Sequence, residues 1–276
     1  MPVVVIADSA AALEPEMSEQ LGVVTVPMQL EIGGRPIVDE AVSLDELVAR
    51  LDDGVQTSGP SPGAFAQALE ANQSPDGTVV LTVGQRLSST YQSASSAASL
   101  VTDPSKVRVV DTGTAAGAEG LVVIAAAQAA RSGATLDEVE AKAREVSERV
   151  RLVAAVEQLT YLVRGGRVPA VAARAGNLLG VRPLFEMSQS HIRPLRPAFS
   201  SDGALDQILA QWRKSRPNGA PLHVAALHAL RQEDAEALLA KVSAEVEPVT
   251  AFVGTFGPVM VAHTGPGVIG LAWWWG

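Results

Sequence analysis

The chain has 276 residues, of which 47% are hydrophobic and 4% aromatic, and its formal net charge is −9. This composition predicts a globular protein large enough for two lobes, with a core of mainly aliphatic side chains. The negative charge argues against general nucleic-acid binding. The absence of cysteine excludes disulfides, a zinc–thiolate site and a cysteine nucleophile. With neither an apolar run of membrane-spanning length nor a signal-peptide pattern, we expect a cytoplasmic protein without stable membrane insertion.

The first half of the chain alternates short apolar runs with helical patterns. Strands are predicted at 3–7, 78–83 and 107–110, and helices at 44–51, 62–71, 90–100 and 117–131. This alternation is typical of an α/β fold with a parallel sheet covered on both faces. Ligands of such sheets bind outside the carboxyl ends of the strands. Ser88 follows the strand at 78–83 and therefore lies where a ligand is expected.

The second half begins after a helix predicted at 135–150, for which Thr135 and Glu138 form a capping-box pattern. We place the boundary at residue 150, between an N-terminal domain of residues 1–150 and a C-terminal domain of residues 151–276. The second domain should contain a strand at 152–156, a helix at 171–179, an extended stretch at 182–196, a helix at 205–214 and a strand at 222–227. Strand and turn are expected from Thr250 onward.

The chain ends with three adjacent tryptophans, Trp273, Trp274 and Trp275. In a strand their side chains would alternate between faces, so at least one should be partly exposed. Packing at a sheet edge is the main interpretation. A dimer contact or a lid over an apolar tunnel are the alternatives.

Charge is distributed unevenly along the chain. Residues 164–216 contain nine basic and three acidic residues, a balance of about +6, which leaves about −15 for the remainder. The segment is either a solvated surface or a docking face for an acidic partner or a lipid head group.

Four polar clusters follow predicted strands or loops, at residues 57–61, 87–91, 165–167 and 263–267. They supply hydroxyls, the Arg167 guanidinium and the His263 imidazole, with almost no anionic group. Hydroxyls and N–H groups at helix N-termini favour an anion. The four clusters therefore indicate a site that holds a small anion.

Several other chemistries are disfavoured. Residues 59–63 match the pattern of a hydrolase nucleophile elbow around Ser61, but the next residue, Pro62, lacks the N–H that an oxyanion hole needs. Ser61 is better interpreted as a helix N-cap. The chain contains no phosphate-loop motif, and its four histidines are scattered. We therefore expect no metal and no cofactor.

The four clusters, in this order and at these distances, resemble the DegV family of bacterial fatty-acid-binding proteins. The resemblance includes the opening run with Asp8 and Ser9, and it extends over nearly the whole chain. Ser89 stands where the family usually has glycine, and Thr112 where it has serine. The resemblance implies a two-lobe α/β fold with an N-terminal parallel-sheet domain, a second α/β domain and the ligand between them.

The resemblance also implies a function. The family's counterparts of Thr57, Ser88 and His263 hold the carboxylate of a fatty acid, and the turn with Arg167 faces a separate ATP-dependent fatty acid kinase that makes an acyl phosphate. We therefore expect a long-chain fatty acid carrier without turnover of its own. The alternatives are an enzyme, either a hydrolase using Ser88 or a dihydroxyacetone-kinase-like subunit, and an interaction protein without a ligand.

The expected ligand-binding residues come from all four clusters: Thr57, Ser58, Ser88, Ser89, Thr90, Arg167, His263 and Gly265. An apolar tunnel for the acyl chain is expected in the second lobe, lined by Val171, Ala172, Ala175, Leu178 and Leu179. The alternative is that the same residues form the ordinary core of that lobe.

Overall fold

The structure is a computed structural model that describes residues 2–168 and 180–276. Its strands are β1 (Val4–Asp8), β2 (Val23–Val26), β3 (Gln29–Ile32), β4 (Arg35–Val38), β5 (Gln56–Ser58), β6 (Thr78–Thr82), β7 (Val107–Asp111), β8 (Arg151–Ala155), β9 (Leu184–Ser188), β10 (His191–Pro194), β11 (Leu222–His228), β12 (Pro248–Thr255) and β13 (Ile269–Trp275). Its α-helices are α1 (Pro15–Leu21), α2 (Leu44–Ala49), α3 (Pro62–Ala71), α4 (Thr90–Ala98), α5 (Ala116–Arg131), α6 (Leu136–Arg149), α7 (Thr160–Arg164), α8 (Ser201–Lys214), α9 (Gln232–Glu245) and α10 (Pro258–Thr264). None of these described helices combines the length and the apolar character that a membrane crossing needs.

The first lobe is built on a parallel sheet with the strand order β2-β1-β6-β7. All of β6 is buried, as expected for a strand that is covered on both faces. Helices α3 and α4 pack on one face, where Ile6, Phe65 and Ala94 belong to one apolar cluster. Helices α5 and α6 pack on the other face. The predicted parallel-sheet lobe is confirmed.

A small antiparallel sheet, with the order β4-β3-β5, projects from this lobe. Its hairpin turns at Gly33 and Gly34, which both have positive φ, 58° and 78°. Two such residues are typical of the tight turn that best matches strand twist. Strand β3 pairs its buried Leu30 with Thr57 of β5. This pairing fixes the position of the first predicted site residue.

The second lobe contains a six-stranded sheet with the order β10-β9-β8-β13-β11-β12. Strands β11 and β12 are parallel, and the other neighbours are antiparallel. Helices α8 and α9 cover one face, where Trp212 and Trp273 are fully buried. The fold is therefore α/β, with a parallel-sheet lobe and a second sheet lobe.

Helix α5 lies between the two lobes and is buried on nearly every side. A Cβ atom on Gly117 would lie 2.4 Å from the side chain of Leu227 in β11, and one on Gly120 would lie 2.6 Å from the carbonyl oxygen of Ala11. Glycine at both positions thus allows the helix to approach both lobes closely. The predicted boundary at residue 150 falls between α6 and β8, and the division into two domains stays a prediction.

The end of the chain differs from the sequence prediction. Helix α10 interrupts the expected strand and turn, and α9 is a helix that the sequence patterns did not predict. Strand β13 lies between β8 and β11, so its tryptophans do not pack at a sheet edge. Trp273 and Trp274 are buried and Trp275 is half-buried, as the alternation predicts. The helix expected at 171–179 lies outside the described residues.

Candidate functional site

A cavity of about 780 Å³ lies between the lobes. Six of the eight predicted site residues line it: Thr57, Ser58, Ser88, Ser89, Arg167 and His263. Most of the remaining lining is apolar and comes from both lobes, and it includes Met28, Val83, Leu87, Leu152, Leu162, Leu184, Phe185, Met187, Ile192, Leu195, Phe256, Val259 and Met260. The cavity therefore combines a donor-rich cluster with a mainly apolar remainder.

Thr57 and His263 meet across the two lobes. The Thr57 Oγ1 and His263 Nε2 atoms are 2.7 Å apart, although the residues are 206 positions apart in sequence. His263 lies in the last turn of α10. At the other end of that helix, the N–H of Val259 donates to Asp39 Oδ1 at 2.8 Å. Asp39 also accepts a hydrogen bond from Ser9 Oγ at 2.8 Å, so α10 is anchored to the first lobe at both ends.

The imidazole of His263 is held in its neutral form. Burial, with a smaller contribution from the positive charge of Arg167, lowers its pKa to about 4. Its Nδ1 atom is buried and has no hydrogen-bond partner among the described residues. A Cβ on Gly165 would lie 2.4 Å from that Nδ1, which explains why a glycine stands there. At neutral pH the ring is therefore an uncharged hydrogen-bonding group.

Ser88 forms the second part of the polar cluster. Its Oγ lies 2.8 Å from Thr90 Oγ1 and accepts from the Thr90 N–H at 3.3 Å. Ser89 precedes α4 and lines the cavity. Thr90 is fully buried behind Ser88, with its N–H directed to Ser88. Thr90, one of the predicted site residues, therefore contacts Ser88 and does not itself line the cavity.

Gly59 is a site residue that the sequence analysis did not identify. A Cβ at this position would lie 2.2 Å from Thr90 Oγ1 and 3.2 Å from Ser88 Oγ. Glycine therefore lets the loop after β5 approach the loop before α4, and this contact brings Thr57 and Ser88 to one cavity. In the sequence, Gly59 had been considered only as part of the nucleophile-elbow pattern at residues 59–63.

Arg167 contributes a positive charge to the cavity wall. Its Nε donates to the carbonyl oxygen of Leu87 at 3.1 Å, and its Nη1 donates to that of Gly165 at 2.5 Å. Desolvation lowers its pKa, because the half-buried guanidinium has lost part of its hydration. Among residues 2–168 and 180–276 it has no carboxylate partner. An anion in the cavity would supply the missing counter-charge.

Gly265 does not line the cavity as the structure describes it. Its φ is 75°, and a Cβ there would lie 2.4 Å from the ring of Tyr161. The residue lets the chain leave α10 against α7, and it does not contact the cavity directly. The residues predicted for the acyl tunnel at 171–179 lie outside the described part of the chain.

Three further observations limit the reactions that the site can support. Ser61 accepts the Ala64 N–H at 3.1 Å and caps α3, as predicted. Within the described ranges, no cluster of His, Asp or Glu side chains is placed to hold a metal ion. The hydrogen bonds of Ser88 go to Thr90, whereas His263 pairs with Thr57. This geometry provides hydroxyl donors to an anion and does not pair the serine with a base.

Both the sequence and the fold are similar to those of known proteins. The model of the DegV family matches residues 2–275. A DegV domain-containing protein of Streptomyces coelicolor is 34% identical over 278 residues, which cover 98% of this chain and 97% of the relative. A Thermotoga maritima protein named fatty acid-binding protein is 29% identical, over 98% of this chain and 96% of its own. The solved structure of a fatty-acid-binding DegV family protein from Thermus thermophilus covers 100% of both chains, with a TM-score of 0.90 and 29% identity.

Proposed function

Because this chain belongs to the DegV family, we propose that it binds a long-chain fatty acid between its lobes and presents the carboxylate to a separate ATP-dependent fatty acid kinase. The observation that carries the proposal is the cross-lobe pair of Thr57 and His263 in the wall of a largely apolar cavity. An apolar chain with one anionic end matches that combination. Relatives named for fatty acid binding support the same ligand class.

Burial of the acyl chain would provide most of the affinity. Each methylene removed from water contributes about 0.8 kcal/mol, so a chain of about fourteen methylenes contributes on the order of 11 kcal/mol. Ordering the flexible chain and losing its free motion offset several kcal/mol of this. Hydrogen bonds to the charged carboxylate add about 1.5–3 kcal/mol each. Together with the remainder from the acyl chain, they bring the total to the roughly 8 kcal/mol at which micromolar binding begins.

The neutral state of His263 determines how the carboxylate is held. A proton on Nδ1 would be a buried donor without an acceptor, which is costly, whereas a proton on Nε2 is donated to Thr57 Oγ1 at 2.7 Å. Because the Thr57 oxygen accepts the bond from His263, the hydrogen of its hydroxyl is available for donation to the carboxylate. Ser88 provides a second hydroxyl donor. His263 thus acts through Thr57 and needs no positive charge.

The proposed partner kinase would supply the nucleotide, since this chain has no phosphate-loop motif. In the reaction a carboxylate oxygen of the fatty acid attacks the terminal phosphorus of ATP, and ADP leaves. The half-buried Arg167 would face the kinase at the edge of the cavity. We assign the protein to the cytoplasm, where ATP is present.

The protein itself should have no turnover. An ester hydrolase would need Ser88 activated by a base, and the bond from His263 goes to Thr57 instead. Carboxylate binding needs the opposite arrangement, with Ser88 keeping its proton as a donor. The hydrogen-bond partners therefore favour the carrier over the enzyme.

Native mass spectrometry of protein purified from cells tests the proposal. We expect a mass excess equal to one fatty acid, which disappears under denaturing conditions and is recovered as a free acid in the organic extract. A mass equal to that of the bare chain, together with no binding when a long-chain fatty acid is added back, would exclude the carrier function.

A further inference from the structure

A second, smaller cavity of about 210 Å³ adjoins the one between the lobes. The two cavities share four lining residues: Leu87, Arg167, Met187 and Ile192. The smaller one is also lined by Gly84, Arg86, Gly113 and Ser190. It lies beside the loop that leads into Ser88, so it is next to the hydroxyl cluster where the carboxylate is proposed to bind.

The side chains of this small cavity are rich in donors. Arg86 is exposed and has no hydrogen-bond or ion-pair partner within the described ranges. Arg167 uses Nε and Nη1 on backbone carbonyls and has no carboxylate partner there. The hydroxyl of Ser190 is likewise without a side-chain partner in the described chain, while its N–H donates to the Gly113 carbonyl oxygen at 3.1 Å. No described lining residue is acidic.

Two glycines allow the segments around the small cavity to approach one another closely. A Cβ on Gly113 would lie 2.4 Å from Ser190 Oγ, and one on Gly84 would lie 3.0 Å from the carbonyl carbon of Gly113. The loop after β7 therefore packs at Gly113 against both the loop before α4 and the β9–β10 turn. This close approach brings a guanidinium from one loop and a hydroxyl from the other turn to the same space.

From this geometry we propose that Arg86, Arg167 and Ser190 form a second oxyanion subsite, which takes the phosphoryl group of an acyl phosphate. The inference rests on the proposed function, because the acyl phosphate is the product of the proposed kinase reaction. A phosphoryl group carries up to two negative charges and is matched by two planar guanidinium groups. A fatty acid carboxylate held by Thr57 and Ser88 would leave this subsite free, and its phosphorylated form would extend into it.

The test compares two ligands with the same acyl chain. One is palmitate, and the other is 2-oxoheptadecylphosphonate, a stable palmitoyl phosphate analogue with a methylene in place of the bridging oxygen. Arg86→Ala should weaken binding of the phosphonate about tenfold or more, because one charge-assisted contact is lost. Palmitate affinity should stay within about twofold, since an exposed arginine that does not contact it contributes little. Arg216→Ala, which removes an exposed arginine that lines neither cavity, is the control for net charge.

The outcomes separate this inference from the function on which it rests. Normal palmitate binding with phosphonate affinity insensitive to Arg86→Ala would overturn the subsite and leave the carrier intact. An equal loss for both ligands would also overturn it, because Arg86 would then act on the carboxylate or on the fold. If wild-type protein binds neither ligand, the proposed function itself fails. Inorganic phosphate alone serves as a further probe. If it binds and the binding depends on Arg86, the subsite is supported and free phosphate is identified as a ligand that can fill it.

Discussion

Removal of the Thr57 hydroxyl is expected to weaken fatty acid binding while leaving the fold intact. Thr57→Val keeps the shape of the side chain but eliminates both the acceptor for His263, 2.7 Å away, and the proposed donor to the carboxylate. Loss of one hydrogen bond to a charged group costs about 1.5–3 kcal/mol, which corresponds to a roughly 10- to 150-fold higher Kd. Calorimetric titration of a long-chain fatty acid measures the change, at a temperature where both proteins are fully folded.

The chain offers a matched control for this substitution. Thr250 Oγ1 lies 2.9 Å from His223 Nδ1, so Thr250→Val removes another threonine–histidine pair, in a place that does not line the cavity. Each variant should lose about 1 kcal/mol of unfolding free energy with its hydrogen bond. Only Thr57→Val should lose affinity. Equal affinities in the two variants would refute the assignment of Thr57 to the head-group site.

Three further predictions concern the anchor of helix α10, a buried glutamate and the absence of turnover. Asp39→Ala leaves the Val259 N–H unpartnered at the start of the helix that carries His263. It should weaken fatty acid binding roughly fivefold, the equivalent of about 1 kcal/mol. Titration beside Ser200→Ala, which removes the N-cap of α8, would show whether the effect is only one of stability. Burial, followed by nearby carboxylates, raises the pKa of Glu119 well above 4.5, so folding favours its protonated form and stability should fall as pH rises above about 4.5. This fall amounts to at most about 1.4 kcal/mol per pH unit, and Glu119→Gln should remove it. If urea unfolding at pH 6 and pH 8 gives the same change in unfolding free energy for both proteins, the argument is contradicted. In ester-hydrolysis assays the wild type should show no turnover, and an activity that disappears in both Ser88→Ala and His263→Ala would favour the enzyme over the carrier.

The first lobe was predictable because its signals are local. The strands of the parallel sheet are continuous apolar runs, and two of the helices begin with recognisable caps. Ser61 with Pro62 starts α3, and Thr135 with Glu138 forms the capping box of α6. In these segments the local pattern and the tertiary packing favour the same structure.

The end of the second lobe was harder to predict, because its structure depends on distant partners. Helix α10 has only seven residues, and its first turn is held by Asp39, 220 positions away in sequence. The central position of β13 depends on pairing with β8 and β11, which no local pattern encodes. Short helices and strand order are decided by such contacts more than by propensity.

The polar site was predicted in composition but not in geometry. Hydroxyl, imidazole and guanidinium groups could be identified from the four clusters, yet the sequence did not indicate that His263 would be neutral. That property results from burial and from Arg167, a residue that is distant from His263 in the chain. Contacts in space also change the interpretation of the basic segment at residues 164–216. Arg182 pairs with Glu157 at 3.0 Å, and Arg213 pairs with Glu245 at 2.9 Å. These two of its nine basic residues are therefore paired with carboxylates from outside the segment.

A crystal structure of the protein with a long-chain fatty acid tests the central claim most directly. The account predicts one acyl chain in the cavity between the lobes, with its carboxylate about 3 Å from both Thr57 Oγ1 and Ser88 Oγ and with the contact between Thr57 and His263 retained. A carboxylate at the opposite end of the cavity, or an acyl chain bound elsewhere on the protein, would contradict it.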